Sequence, residues 1–221
     1  PLLPIQILWV NLVTDGLPTL ALGVDPVTQD IMKRRPRSPD EPVVTRGRLG
    51  LILWQGFVIS LCSLTAFCYI YYVEDRWSVG QVFTALGTFD IDRLRAIFTV
   101  PTEMREEILA HARSMAFVVL AFSQDFHSYN CRSQTTSLFK LGVFSNRKLI
   151  GATSVSIILN MSALYLPFFQ GVLKTKPLTA PELAIVLCAA STPFWTMELV
   201  KLIRRLTGRN AEQYPQPELA S

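Results

Sequence analysis

The sequence predicts an all-α membrane protein, a bundle of five transmembrane helices with the first locally unwound near Gly16–Pro18. Three features predict this class. The 221 residues are 50% hydrophobic and only 17% charged, against about 25% charged in soluble domains. The mean hydropathy is positive, +0.31. The apolar residues are gathered into runs of bilayer-spanning length rather than dispersed over a soluble core. The same figures exclude a disordered chain, which is poor in apolar residues and rich in charge. The fourteen prolines exclude a long uninterrupted coiled coil.

A helix needs about 20 apolar residues to cross the hydrocarbon core. The first span is 2–24, with a single formal charge at Asp15. The second, 49–73, has 25 residues and no charge. The third, 112–131, joins Met115, Phe117, Val118, Val119, Leu120 and Phe122 to Gln124, Asp125 and His127. Its polar groups direct it toward other helices rather than lipid. The fourth, 150–169, is 20 uncharged residues. The fifth, 183–203, carries Glu198 and Lys201 near its end, with Pro193 predicting a kink. The stretch 102–113 is expected to form a short surface helix leading into the third span. The tail 206–221 is polar, with two prolines, and is expected to fray into the cytosol.

Basic residues set the direction. The segments 25–48, 132–148 and 201–221 fall on one side of a five-span bundle and hold fourteen Lys and Arg, against seven on the other side. The positive-inside rule places the fourteen in the cytoplasm, together with the C-terminus. The net charge of +4 comes with no basic-aromatic ladder, so no nucleic-acid partner is expected. Cys62, Cys68, Cys131 and Cys188 show no metal-finger spacing and read as small buried hydrophobes. The chain opens at Pro1 without Met or a basic signal region and reads as a piece of something longer.

The chemical centre is in the first span. Asn11, Thr14 and Asp15 stand at i, i+3 and i+4, one face of a helix. Asp15 is two residues from the midpoint of 2–24, about 3 Å along the axis. A carboxylate there costs on the order of 2.5–3.5 kcal/mol to insert, and a bound cation offsets that cost. Pro18 has no N–H to give the Thr14 carbonyl, and Gly16 permits a local bend. Released carbonyls in broken helices are a recurrent way to hold ions at the midplane. Amide, hydroxyl, carbonyl and carboxylate oxygens suit a hard cation such as Ca2+, which takes 6–8 of them, so other helices must contribute. The alternative is a structural polar patch, with Asp15 protonated or hydrogen-bonded to a neighbouring helix.

The stretch QILWVNLVTDGLPTLALGVDP, followed by DIMKRRPRSPDEP, closely resembles the sixth transmembrane helix and next cytosolic loop of P-type calcium pumps. These are the sarco-endoplasmic-reticulum type and its bacterial relatives. The five spans match helices six to ten, and CRSQTTSLFKLGVFSNRKLIGA resembles the bacterial members between helices eight and nine. The resemblance implies that Asn11, Thr14 and Asp15 bind Ca2+ as the transported ion. Gln124 falls where two-ion members carry a Glu. It keeps an oxygen and loses the charge, which implies one Ca2+ per cycle. Sodium-potassium pumps carry an acid in place of the Asn and no DGLP.

The resemblance also implies ATP and Mg2+ in cytosolic nucleotide, actuator and phosphorylation domains. No DKTGT, TGES or nucleotide-binding loop is present here, so this segment alone is not an ATPase. It is expected to partner upstream transmembrane helices and the phosphorylation domain of the same parent chain, with the 25–48 loop docking on that domain and touching lipid. The location implied is a bacterial plasma membrane, multi-pass, with protons as counter-ions, since an emptied intramembrane carboxylate takes up a proton. Two other readings stay open. One is the same architecture for Mn2+, Na+ or Mg2+; the other is an independent non-enzymatic membrane subunit. His127 with Cys131, at i and i+4, is a weak metal pair and reads better as helix packing. Glu198 with Lys201 or Arg205 reads as a solvated helix-end pair, and Asp125 as a proton-handling or membrane-edge acid.

Overall fold

The structure, a computed structural model, describes residues 2–25, 46–74, 87–88, 102–133 and 136–207. The docking loop beyond Asp25 and the polar tail beyond Thr207 lie outside the described residues. Described elements are all helical: α1 (Pro4–Val10), a π-helical turn (Asn11–Asp15), α2 (Gly16–Gly23), α3 (Arg46–Glu74), α4 (Thr102–Cys131), α5 (Leu138–Leu141), α6 (Arg147–Tyr165), α7 (Pro167–Leu173) and α8 (Ala180–Leu206).

Four helical stretches among the described residues are long and apolar enough to cross a membrane: Pro4–Gly23, Gly47–Ile70, Arg147–Tyr165 and Ala180–Leu206. The third expected span is α4, long enough at 30 residues but less apolar, and its position explains why. It packs against α3 and α8, and also meets α6 and the π-turn. Ala112, Met115, Phe117, Val118, Val119 and Ala121 along it are fully buried. The outer helices leave Leu12, Leu20, Leu53, Phe57, Ile158 and Leu199 exposed, an apolar surface of the kind lipid covers. Close packing at α4 relies on small residues, as is common between membrane helices. At one such point the Ser63 hydroxyl donates to the Ala116 carbonyl at 3.0 Å.

Local chemistry sets the breaks. No Gly or Pro occurs between Thr102 and Cys131, so the stretch expected as a separate surface helix is continuous with the span. The stretch 150–169 instead divides at Leu166, which is extended (φ −88°, ψ 125°) because the residue before a proline avoids the helical region. Pro167 then starts α7 at a position where its missing N–H costs nothing. The α8 start is a capping box: the Thr179 N–H and hydroxyl both donate to Glu182 Oε2, at 2.7 and 2.8 Å. Lys201 pairs with Glu198 at 2.9 Å as expected, but the pair is not solvated. Lys201 is 1% exposed, and Glu198 also accepts the Leu138 N–H at 3.2 Å. Packing of α5 over the end of α8 makes it a buried tie.

A second tie closes the C-terminal end of the first span. Arg132, with its side chain 5% exposed, forks onto Asp25 at 3.1 and 3.2 Å. It also donates to the Gly142 carbonyl and Ser145 Oγ. Asn146 caps α6 through the Leu149 N–H and donates to Asp25 Oδ1 at 2.8 Å and to the Ala21 carbonyl. The end of α2 is thereby fixed to both α4 and α6. Removing one partner of such a pair strands a charge in the interior, at a cost of about 3 kcal/mol. Arg132→Met should therefore lower unfolding stability of the detergent-purified parent protein by about that much. Asn146→Ala should cost about 1 kcal/mol through its cap. Denaturant titration of both variants against the wild type checks the order.

Candidate functional site

The expected unwinding of the first span takes a specific form. Residues Asn11–Asp15 make a π-helical turn, and α-helix resumes at Gly16. The disturbance lies one turn ahead of Gly16–Pro18, where the proline acts: Pro18 cannot donate to the Thr14 carbonyl, and its ring crowds that group. Short π-turns inside α-helices recur at functional sites because they redirect side chains and release backbone groups. Gly16 stands in open surroundings, with nothing near the position of a Cβ.

The turn separates its three polar residues. Thr14 is buried, 1% exposed, and its hydroxyl donates to the Val10 carbonyl at 2.6 Å. That bond uses its proton and leaves its oxygen lone pairs available. Asn11 and Asp15 are exposed on this chain. Gln124, on α4, is half-buried. The π-turn packs against both α4 and α6, so the first, third and fourth spans meet at one level. No cluster of three His, Cys, Asp or Glu occurs among the described residues. The available donors are instead amide, hydroxyl, carbonyl and single carboxylate oxygens, which is hard-cation chemistry. His127 Nε2 and Cys131 Sγ are 3.3 Å apart, a contact within one helix turn.

One feature of this level was only partly read from the sequence. Asp125 is buried and accepts the Ser156 hydroxyl of α6 at 3.1 Å. Asn160 Nδ2 donates to Ser156 Oγ at 3.4 Å, and Trp9 Nε1 donates to Asn160 Oδ1 at 3.1 Å. The signal was present as Thr153, Ser156 and Asn160, a polar stripe at i, i+3 and i+7 through an apolar run.

Comparison with known proteins agrees with this architecture. Residues 1–203 match the family described as "Cation transporting ATPase, C-terminus". The chain is 36% identical to "Calcium-transporting ATPase 1" of Bacillus cereus over 93% of its own length and 21% of that protein's. It is 34% identical to "Calcium-transporting ATPase" of Bacillus subtilis, over 93% and 19% respectively. Against "Calcium-transporting ATPase type 2C member 2" of Rattus norvegicus the figures are 31%, 99% and 20%. The chain thus spans about a fifth of the length of the curated relatives it matches. With a helical membrane bundle whose first span carries a π-turn, and a family match over nearly its whole length, the chain belongs to the cation-transporting ATPase C-terminal family.

Proposed function

We propose that this chain is the C-terminal ion-binding transmembrane module, residues 1–205, of an ATP-driven pump that moves Ca2+ out of the cytoplasm. The observation that carries the reading is the π-turn, with Asn11, Thr14 and Asp15 in a span that otherwise has no charge. Proteins named as calcium-transporting that match nearly all of the chain support it.

Ca2+ is the substrate. Thr14 offers a hydroxyl oxygen whose proton is already committed to Val10, together with a carbonyl that Pro18 cannot engage. Asp15 supplies charge, Asn11 an amide oxygen, and Gln124 a neutral oxygen from α4. These fall short of six to eight ligands. The exposed face of Asn11 and Asp15 is where helices from upstream in the parent chain complete the shell. ATP and Mg2+ act in cytosolic domains of the parent, and their phosphorylation domain docks on the 25–48 loop. The end of α2, which continues the π-turn, is fixed to α4 and α6 through the Asp25–Arg132–Asn146 tie. Loop movement therefore reaches the ligands through α2. Protons return in exchange, neutralising the carboxylates between calcium loads. The protein is multi-pass in a bacterial plasma membrane with the C-terminus cytoplasmic, consistent with the distribution of Lys and Arg.

In the full-length pump, Asp15→Asn should abolish phosphorylation from ATP at micromolar Ca2+, while phosphorylation from inorganic phosphate without Ca2+ survives. Normal Ca2+-dependent phosphorylation in that variant would falsify the assignment. Activation of the wild type by Mn2+ or Na+ in place of Ca2+ would transfer the architecture to another ion. Pro18→Ala returns an N–H to the Thr14 carbonyl. Its midpoint for Ca2+ should rise about tenfold, a loss of about 1.4 kcal/mol, read from the calcium dependence of the phosphoenzyme.

A further inference from the structure

We propose that Asp125 is a further carboxylate ligand of the transported divalent cation, supplied by α4, the helix that packs against the π-turn. This inference rests on the calcium-site reading above and deepens it. Asp125 is 4% exposed, and its two oxygens are treated differently. Oδ2 accepts the Ser156 hydroxyl. Oδ1 is buried with no hydrogen-bond partner among the described residues. A buried carboxylate with one neutral donor is far from compensated, because charge buried away from water needs a counter-charge or a metal.

The surrounding bonds run one way. Trp9 donates to Asn160, Asn160 donates to Ser156, and Ser156 donates to Asp125. Each donor points along the chain toward the carboxylate, so the relay favours an acceptor at its end and sets the carboxyl orientation. The relay starts on the helix that carries the π-turn, two residues before Asn11. It crosses α6 and ends on α4, so it ties together the three elements that meet at the ion site. The π-turn that carries Asp15 packs against α4, which carries Asp125. Two carboxylates so placed repel each other, and a divalent cation between them turns that repulsion into coordination. Neutral donors cannot do this. His127, two residues along α4, points its Cys131-facing nitrogen elsewhere, and Lys201 is already paired with Glu198. Asp125 also adds an oxygen to the incomplete shell at Asn11, Thr14, Asp15 and Gln124.

The test uses the full-length pump and Ca2+ itself. Phosphorylation from ATP is measured against free Ca2+ for the wild type, Asp15→Asn, Asp125→Asn, Asp125→Glu and Ser156→Ala. Phosphorylation from inorganic phosphate without Ca2+ reports folding. Asp125→Asn should raise the Ca2+ midpoint at least tenfold and keep the phosphate reaction. Ser156→Ala, which keeps the carboxylate, should shift the midpoint less than threefold. A midpoint for Asp125→Asn within twofold of the wild type overturns the proposal. So does an equal shift in Ser156→Ala, since that assigns the effect to helix packing. Should Asp125→Asn lose the phosphate reaction, Asp125→Glu decides. It moves the carboxylate by one methylene, so a ligand role requires a changed Ca2+-to-Mn2+ preference, and an unchanged preference overturns the role. If Asp15→Asn abolishes Ca2+ dependence while Asp125→Asn leaves it intact, only this inference falls. If neither variant alters it, the calcium-site reading falls as well.

Discussion

Pro18 cannot give the Thr14 carbonyl the hydrogen bond that every other carbonyl in a membrane helix expects from the residue four places on. In lipid such a group would be prohibitive, because no water replaces the bond. The first span resolves this by widening to a π-turn over Asn11–Asp15 and by burying that turn's Thr14 and Val13 against the bundle. The rest of the arrangement depends on that solution. The turn must be held at both ends, and it is: α1 is anchored by Gln6, which accepts the Leu3 N–H and donates to the Leu173 carbonyl. The end of α2 is held by Asp25, Arg132 and Asn146. Between these anchors an otherwise unfavourable backbone is held in place with its oxygen atoms inside the bundle.

The central position of α4 follows from the same economy of polar groups. A helix carrying Ser114, Ser123, Asp125, Ser128 and Asn130 cannot face hydrocarbon without penalty. It therefore sits inside, and its neighbours supply the apolar exterior. Interior placement also puts Gln124 and Asp125 on the helix that packs against the π-turn, so one constraint, keeping polar atoms from lipid, sets both the packing order and where these polar groups lie.

Much of this was legible in the sequence. Run length and charge spacing marked the helices, and the polar groups of 112–131 foretold an inward-facing span. Asp15 near the middle of an apolar run drew attention to the stretch that the structure shows as a π-turn. What escaped was local in one case and tertiary in the others. Leu166 breaks the fourth helix because of its neighbour Pro167, a local rule outweighed at first by an unbroken apolar run. The burial of the Glu198–Lys201 pair depends on α5 folding over it, and no spacing on α8 alone reveals that. The Arg132–Asp25 tie joins residues 107 apart in the chain. Asp125 reads from the sequence as a proton-handling or membrane-edge acid, and only the facing Ser156, bonded in turn to Asn160, places it inside the bundle.

The central claim is that the oxygen atoms gathered around the π-turn hold Ca2+ inside the membrane. Equilibrium binding of radioactive calcium to the full-length protein, without ATP and with Mg2+ in large excess, tests it most directly. Saturable binding of one Ca2+ per chain is expected at micromolar free calcium, undiminished by the excess of Mg2+. No saturable binding, or full displacement by Mg2+, would contradict it.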